Sequence, residues 1–160
     1  MKAQPVRTDE DLENAFDTYA DKLYGISLTM LKSKTEAEDA VQETFIKYYQ
    51  SDKQFDSEEH RKAWLITVCV NYCKNILSFW NRHRHESLEE WHEFSEDMNN
   101  NEIFDALMKL PEKHRIVMIL HYVEEYSVRE TAAILNISES AVKMRLQKGR
   151  TLLRSEYGEE

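Results

Sequence analysis

Residues 127 to 154 read SVRETAAILNISESAVKMRLQKGRTLLR, and the order of caps, apolar residues and charges in that stretch decides the fold. Ser127 followed three positions later by Glu130 is a capping box, which predicts a helix from Val128. Ala132 is small where two helices must cross closely, while Leu135, Ile137 and Val142 supply the apolar contacts that fix one helix against the other. Asn136 stands between them, where a left-handed backbone is needed and Asn is the best substitute for Gly. Ser138 then caps a second helix. The spacing is that of a helix-turn-helix.

Along the second helix Val142, Leu146, Gly149 and Leu153 fall on one face, and Ser140, Lys143, Met144, Gln147 and Thr151 fall roughly opposite. One face packs and the other is free to read a groove. From Asn136 to Ser155 the cations Lys143, Arg145, Lys148, Arg150 and Arg154 face only Glu139, a local charge of +4 in a chain whose net charge is -9. A solvated basic helix face would carry the same charges. Joined to the turn chemistry and the helix pair, they point to attraction for DNA phosphates.

The chain has 160 residues, room for one domain or two small ones. Three Gly and two Pro with 32% charged residues favour helices over a turn-rich sheet fold, so an all-α protein is expected. The N-terminal MKAQPVRTDEDLE lacks the apolar segment of a secretion signal, and the longest charge-free apolar run, Ala63 to Cys73, is too short to cross a bilayer. No membrane insertion and a cytoplasmic location are the expectations. Cys69 and Cys73, four apart on a predicted helix, suit a disulfide poorly, and their spacing from His83 and His85 matches no common zinc pattern. They read as buried, reduced thiols. The six His are scattered, with no nucleophile or Gly-rich phosphate loop beside them, so neither an enzyme nor a cofactor is expected.

Acidity is unevenly spread. Net charge is -4 over residues 1 to 50, +2 over 51 to 85, -7 over 86 to 113 and 0 over 114 to 160. Thr8 opens a first helix whose Phe16, Tyr19, Leu23, Ile26 and Met30 recur at helical spacing and read as core. Thr35 with Glu38 forms a second capping box, and the helix after it has Ala37, Val41, Thr44, Phe45 and Tyr48 for the core. Its other face carries Asp39, Gln42, Glu43 and Ile46, polar groups around an aliphatic residue that the core does not need. Ser57 starts a third helix, with AWLITVCV free of charge, running through Asn71, Lys74, Asn75, Phe79 and Trp80 to a basic end at Arg82 and Arg84. Aromatics beside cations and amides suit single-stranded DNA, and equally suit a core cluster with a basic helix end.

Residues 86 to 102 hold seven acids and neither Lys nor Arg. The expected organisation is therefore two small helical domains, 1–85 and 102–160, joined by an acidic linker over 86–101. In the second, a helix from Glu102 to Leu110 precedes Pro111 at the first position of the next, and IVMILHYV reads as a buried helix leading into the helix-turn-helix.

Two separated blocks resemble the sigma-70 family of bacterial RNA polymerase sigma factors, in the short two-domain form of the extracytoplasmic-function group. AEDAVQETFIKYY with WLITVCVNYCKN is similar to the family's first sigma domain, and LPEKHRIVMILHY with the helix-turn-helix is similar to its last. The resemblance implies a factor that binds core RNA polymerase and directs transcription initiation at promoters. It implies that Asp39, Gln42, Glu43 and Ile46 dock on polymerase. Trp64, Asn71, Lys74, Asn75, Arg82 and Arg84 would serve the minus-10 element and its melted non-template strand. Arg129, Ser140, Lys143, Met144, Arg145, Gln147, Lys148 and Arg150 would hold the double-stranded minus-35 element. It implies a linker threading the polymerase channel that later carries RNA, and it admits an anti-sigma factor as a further partner. Two other readings share these features: a helix-turn-helix transcription regulator that never joins polymerase, and a sigma-like polymerase-binding protein that does not melt promoters.

Overall fold

The computed structural model describes residues 7–83 and 102–156, and the described residues are helical throughout apart from short connections. The chain divides into two compact units, residues 1–85 and 86–160, each with its own core. The expected linker, 86–101, lies outside the described residues.

The first unit is three helices, α1 (Asp9–Leu31), α2 (Lys34–Gln50) and α3 (Glu58–His83). Thr8 caps α1 by accepting from the Asp11 amide at 3.0 Å, and Asp9, Glu10 and Asp11 place negative charge against the positive end of the helix dipole. The helix stops at Lys32, whose left-handed backbone (φ 57°) turns the chain at once into α2. Ser33, not Thr35, caps α2: its buried hydroxyl accepts from the Glu36 amide at 3.2 Å. Thr35 and Glu38 are exposed positions inside the helix. The two serine or threonine candidates compete, and the tight turn at Lys32 selects the earlier one.

The three helices bury Tyr19, Leu23, Ile26 and Met30 against Val41, Phe45 and Tyr48 and against Leu65, Ile66 and Val70. Cys69 and Cys73 are both buried free thiols in this core, and the Ser27 hydroxyl lies 3.0 Å from the Cys69 sulfur. Hydrogen bonding, first with Cys73 and then with Ser27, draws the Cys69 thiol below its ordinary pKa against the opposing effect of burial. Phe16, expected in the core, is 47% exposed; its ring lies against Phe45 at the open edge between α1 and α2.

A polar network ties the helix ends together. The Tyr48 hydroxyl donates to Asp11 at 2.8 Å and accepts from Arg61 at 3.1 Å. Arg7 lies 4.0 Å above the Tyr48 ring and donates to the backbone carbonyls of Tyr48, Ser51 and Lys53, fastening the α2–α3 connection.

The second unit runs α4 (Glu102–Met108), α5 (Glu112–Met118), a π-helical turn (Ile119–Val123), α6 (Val128–Leu135) and α7 (Glu139–Glu156). α4 ends at Met108, two residues before the expected Leu110, because Lys109 and Leu110 donate to carbonyls only three residues back. Pro111 is the cap (ψ 148°), one position outside the helix it was expected to begin. Arg115 is buried beneath this join and donates to the carbonyls of Leu110 at 2.7 Å and Met108 at 3.3 Å. Burial lowers its pKa to about 10, still well above neutrality, so its charge serves these orphaned carbonyls.

IVMILHYV is buried only through Leu120; Tyr122 and Val123 are exposed, and the helix there widens into the π turn closed by the Glu124 amide on Ile119. The Tyr126 amide donates to Leu120, and Glu125 takes a left-handed backbone between them. Both halves of the capping box form: the Glu130 amide donates to Ser127 at 3.0 Å, and the Ser127 amide donates to the Glu130 carboxylate at 2.9 Å. Asn136 is left-handed (φ 58°, ψ 48°), and Ser138 accepts from the Ala141 amide at 3.0 Å to start α7.

Candidate nucleic-acid interface

In the second unit, α7 packs through Val142, Leu146 and Gly149 on α5 and α6. A Cβ added at Gly149 would stand 3.0 Å from the Met118 sulfur, so the glycine lets α7 lie close to the end of α5. That seat turns Ser140, Lys143, Met144, Gln147 and Thr151 outward; all are exposed, Met144 by 69%. Lys148 and Arg150 are exposed at the edge of this face, and Arg145 is half-buried beside it. Arg129 is exposed in the first turn of α6. The eight residues expected at a double-stranded site are thus on one unit, seven of them on one helix. His114 is buried beneath them, and burial with the cations Lys113, Arg145 and Lys148 pushes its pKa down, favouring the neutral ring.

In the first unit α3 presents Asn71, Asn75, Ser78 and Arg82 in a stripe at intervals of one helical turn, all exposed, with Arg82 donating to Ser78 at 3.3 Å. Lys74 is exposed next to it. Phe79 is 43% exposed and stacks on His83, ring centroids 4.0 Å apart, at the end of the helix. Trp64 differs from the others: it is half-buried against Tyr48 and Phe55, with centroid distances of 6.1 and 5.8 Å. Arg84 lies outside the described residues.

On α2, Asp39, Gln42 and Ile46 are exposed and Glu43 is half-buried. Ile46 is 49% exposed and borders a groove of about 700 Å³ between α1 and α2, walled by Leu12, Phe16, Phe45 and Tyr49. Phe16 and Leu12 extend this face beyond the four residues legible from sequence. The acids of α2 also reach α3, where burial and then Glu36, Asp39 and Glu43 raise the pKa of Tyr72.

The described residues thus carry an exposed polar and basic face on α7, an exposed amide-and-arginine stripe on α3, and an acidic-aliphatic face on α2. The sigma-70 region 2 family matches residues 15–84 and the sigma-70 region 4 family matches residues 100–153. The ECF RNA polymerase sigma factor SigW of Bacillus subtilis is 30% identical, over 96% of this chain and 92% of its own. SigX of the same organism is 28% identical, over 91% and 83%. The chain belongs to the ECF group of RNA polymerase sigma factors. Its fold is also that of CnrH, solved in complex with the cytosolic domain of CnrY (TM-score 0.67, 23% identity, 92% and 88% covered). The sigma factor RpoE of Bartonella quintana, solved with the anti-sigma factor NepR, gives a TM-score of 0.65 at 20% identity over 92% and 96%.

Proposed function

We propose that the chain binds core RNA polymerase in the cytoplasm and directs promoter-specific initiation, with the work divided between its units. The observation that carries this reading is the presence of both sigma regions, in order, over a chain that aligns almost end to end with SigW. Residues 1–85 dock on polymerase through Asp39, Gln42, Glu43 and Ile46, extended by Phe16, and take the minus-10 element on α3. Residues 102–160 hold the minus-35 element. The acidic stretch 86–101 spans the two.

On α3 the amides of Asn71 and Asn75 offer donors and acceptors to base edges, Phe79 offers a ring for stacking, and Lys74, Arg82 and Arg84 offer charge to the backbone. Trp64, held in the aromatic cluster, supports the upstream end of this surface. Each stacked base contributes about 1–3 kcal/mol, enough to offset unstacking of a few bases, so polymerase supplies the rest of the melting energy. On α7, Ser140, Lys143, Met144 and Gln147 face bases, while Arg129, Arg145, Lys148 and Arg150 face phosphates. The complex of the sigma factor RpoE, which shares this fold, with the anti-sigma factor NepR supports an anti-sigma partner here as well.

Run-off transcription by core polymerase on a genomic DNA library, with and without this chain, tests the function and finds the promoter. On that promoter, permanganate should detect unpaired thymines at minus-10, and Asn71→Ala should reduce that signal more than it reduces promoter binding. A holoenzyme that binds its promoter and never opens it would favour the sigma-like binding protein instead. Lys148→Ala should weaken all sequences alike and lower the log-log salt slope by about 1, whereas Gln147→Ala should change which base is preferred. A slope unmoved by Lys148→Ala removes that residue's phosphate role.

A further inference from the structure

The π-helical turn at Ile119–Val123 places an aromatic side chain against the DNA-facing helix. Tyr122 is 51% exposed, and its hydroxyl accepts a hydrogen bond from Arg150 Nη1 at 2.9 Å, joining the turn to α7. His121 stands edge-on to the Tyr122 ring, centroids 4.9 Å apart, and is itself fixed by a 2.7 Å contact of Nδ1 with the Tyr126 carbonyl. Wide turns of this kind recur at functional sites because they redirect side chains out of helical register.

The chemistry of the pair is that of an anion site. A phenol is neutral, so it orients the Arg150 guanidinium without cancelling its charge, and among the described residues no carboxylate pairs with Arg150. A tyrosine hydroxyl has one hydrogen to donate as well as lone pairs to accept. With Arg150 donating to the oxygen, that hydrogen has no acceptor among the described residues. Arg150 retains four further N–H donors, since a guanidinium has about five. Arg150 also follows Lys143 by seven residues and Gln147 by three, so it shares their edge of α7.

We propose that Tyr122 is a further DNA-contacting residue, which holds Arg150 in place and with it grips a single backbone phosphodiester. The proposal rests on the reading of α7 as the DNA-facing helix, and it adds a contact from outside the helix-turn-helix. Tyr122→Phe removes one oxygen and keeps the ring.

The test is equilibrium binding of the full chain to a labelled mixed-sequence DNA duplex across a salt series, with thermal melting alongside. Tyr122→Phe should melt as the wild type does and bind about fivefold more weakly, the effect of one hydrogen bond. Arg150→Ala should lower the log-log salt slope by about 1. Adding Tyr122→Phe to Arg150→Ala should cost less than the roughly fivefold it costs alone, because the two act on one phosphate. If Tyr122→Phe binds like wild type while Arg150→Ala loses its slope, the helix lies on DNA but Tyr122 takes no part, and the proposal fails alone. Fully additive losses overturn it too. If Arg150→Ala leaves the slope unchanged, or the wild type shows no salt-dependent binding, the phosphate reading at Arg150 fails and the proposal falls with it.

Discussion

Asp39→Arg combined with Glu43→Arg should leave the chain folded and abolish its co-purification with core RNA polymerase. Asp39 is fully on the surface of α2, and Glu43 is half-buried at the edge of the same face. Neither takes part in the salt bridges that join Asp11 to Arg7 and Arg61 and Glu58 to Arg61. Surface changes away from such networks usually stay within about 0.5 kcal/mol of neutral. Binding should respond very differently. An acidic face around Ile46 and the Phe16 groove suits a partner that presents cations around an apolar contact, and like charges brought together at an interface cost several kcal/mol. Two reversals should therefore weaken binding by more than about a thousandfold. Gel filtration with core polymerase, beside a circular dichroism melt, checks both halves. Co-migration of a folded double mutant would remove the docking role from this face.

The residues of that face were legible because α2 has a clear apolar stripe, which leaves Asp39, Gln42, Glu43 and Ile46 opposite it. Phe16 was not, because periodicity reports which residues share a stripe and not how wide the facing helix is. The stripe of α1 is broader than α2 can cover, and Phe16 is left at its margin. The helix-turn-helix was readable almost residue by residue, since its caps at Ser127, Asn136 and Ser138 each depend on neighbours within five positions. The π turn was hidden for the opposite reason: IVMILHYV is apolar or aromatic at nearly every position, so no polar residue marks where the register changes. Tyr122 consequently carried no signal, and its partner Arg150 lies 28 residues away. The network of Arg7, Asp11, Tyr48 and Arg61 is equally silent in sequence, because most of its bonds join residues 37 to 50 positions apart.

That network gives Arg61→Ala a large expected effect on stability. The Arg61 side chain is 12% exposed and donates to Asp11 at 3.2 Å, Tyr48 at 3.1 Å, Asn14 at 3.1 Å and Glu58 at 2.6 Å. Burial works against its charge, but the bonds to Tyr48 and Glu58 prevail and hold its pKa above the ordinary arginine value. Glu58 is mostly solvated, so its ion pair contributes little. The larger cost comes from the buried Tyr48 hydroxyl and the half-buried Asp11, which lose a charged donor, for a total of roughly 2–3 kcal/mol. For a unit of this size that lowers the melting temperature by about 10 °C or more. Arg61→Lys should recover only part, because one ammonium cannot reach all four acceptors.

The same residues set a pH window. The Tyr19 hydroxyl and then Arg61 hold the Glu58 carboxyl below its ordinary 4.5, so its contribution is present above pH 4.5 and is lost below it, as the pH falls through the lowered pKa. Burial and then Glu58 push Tyr19 from 10 up to about 12, so its contribution is present below pH 10 and lost between pH 10 and 12. Melting temperature plotted against pH should hold a plateau between these limits, and Glu58→Gln should flatten the acid edge. Arg61→Ala melting within about 2 °C of the wild type at neutral pH would show that the network decorates the helix ends without fastening them.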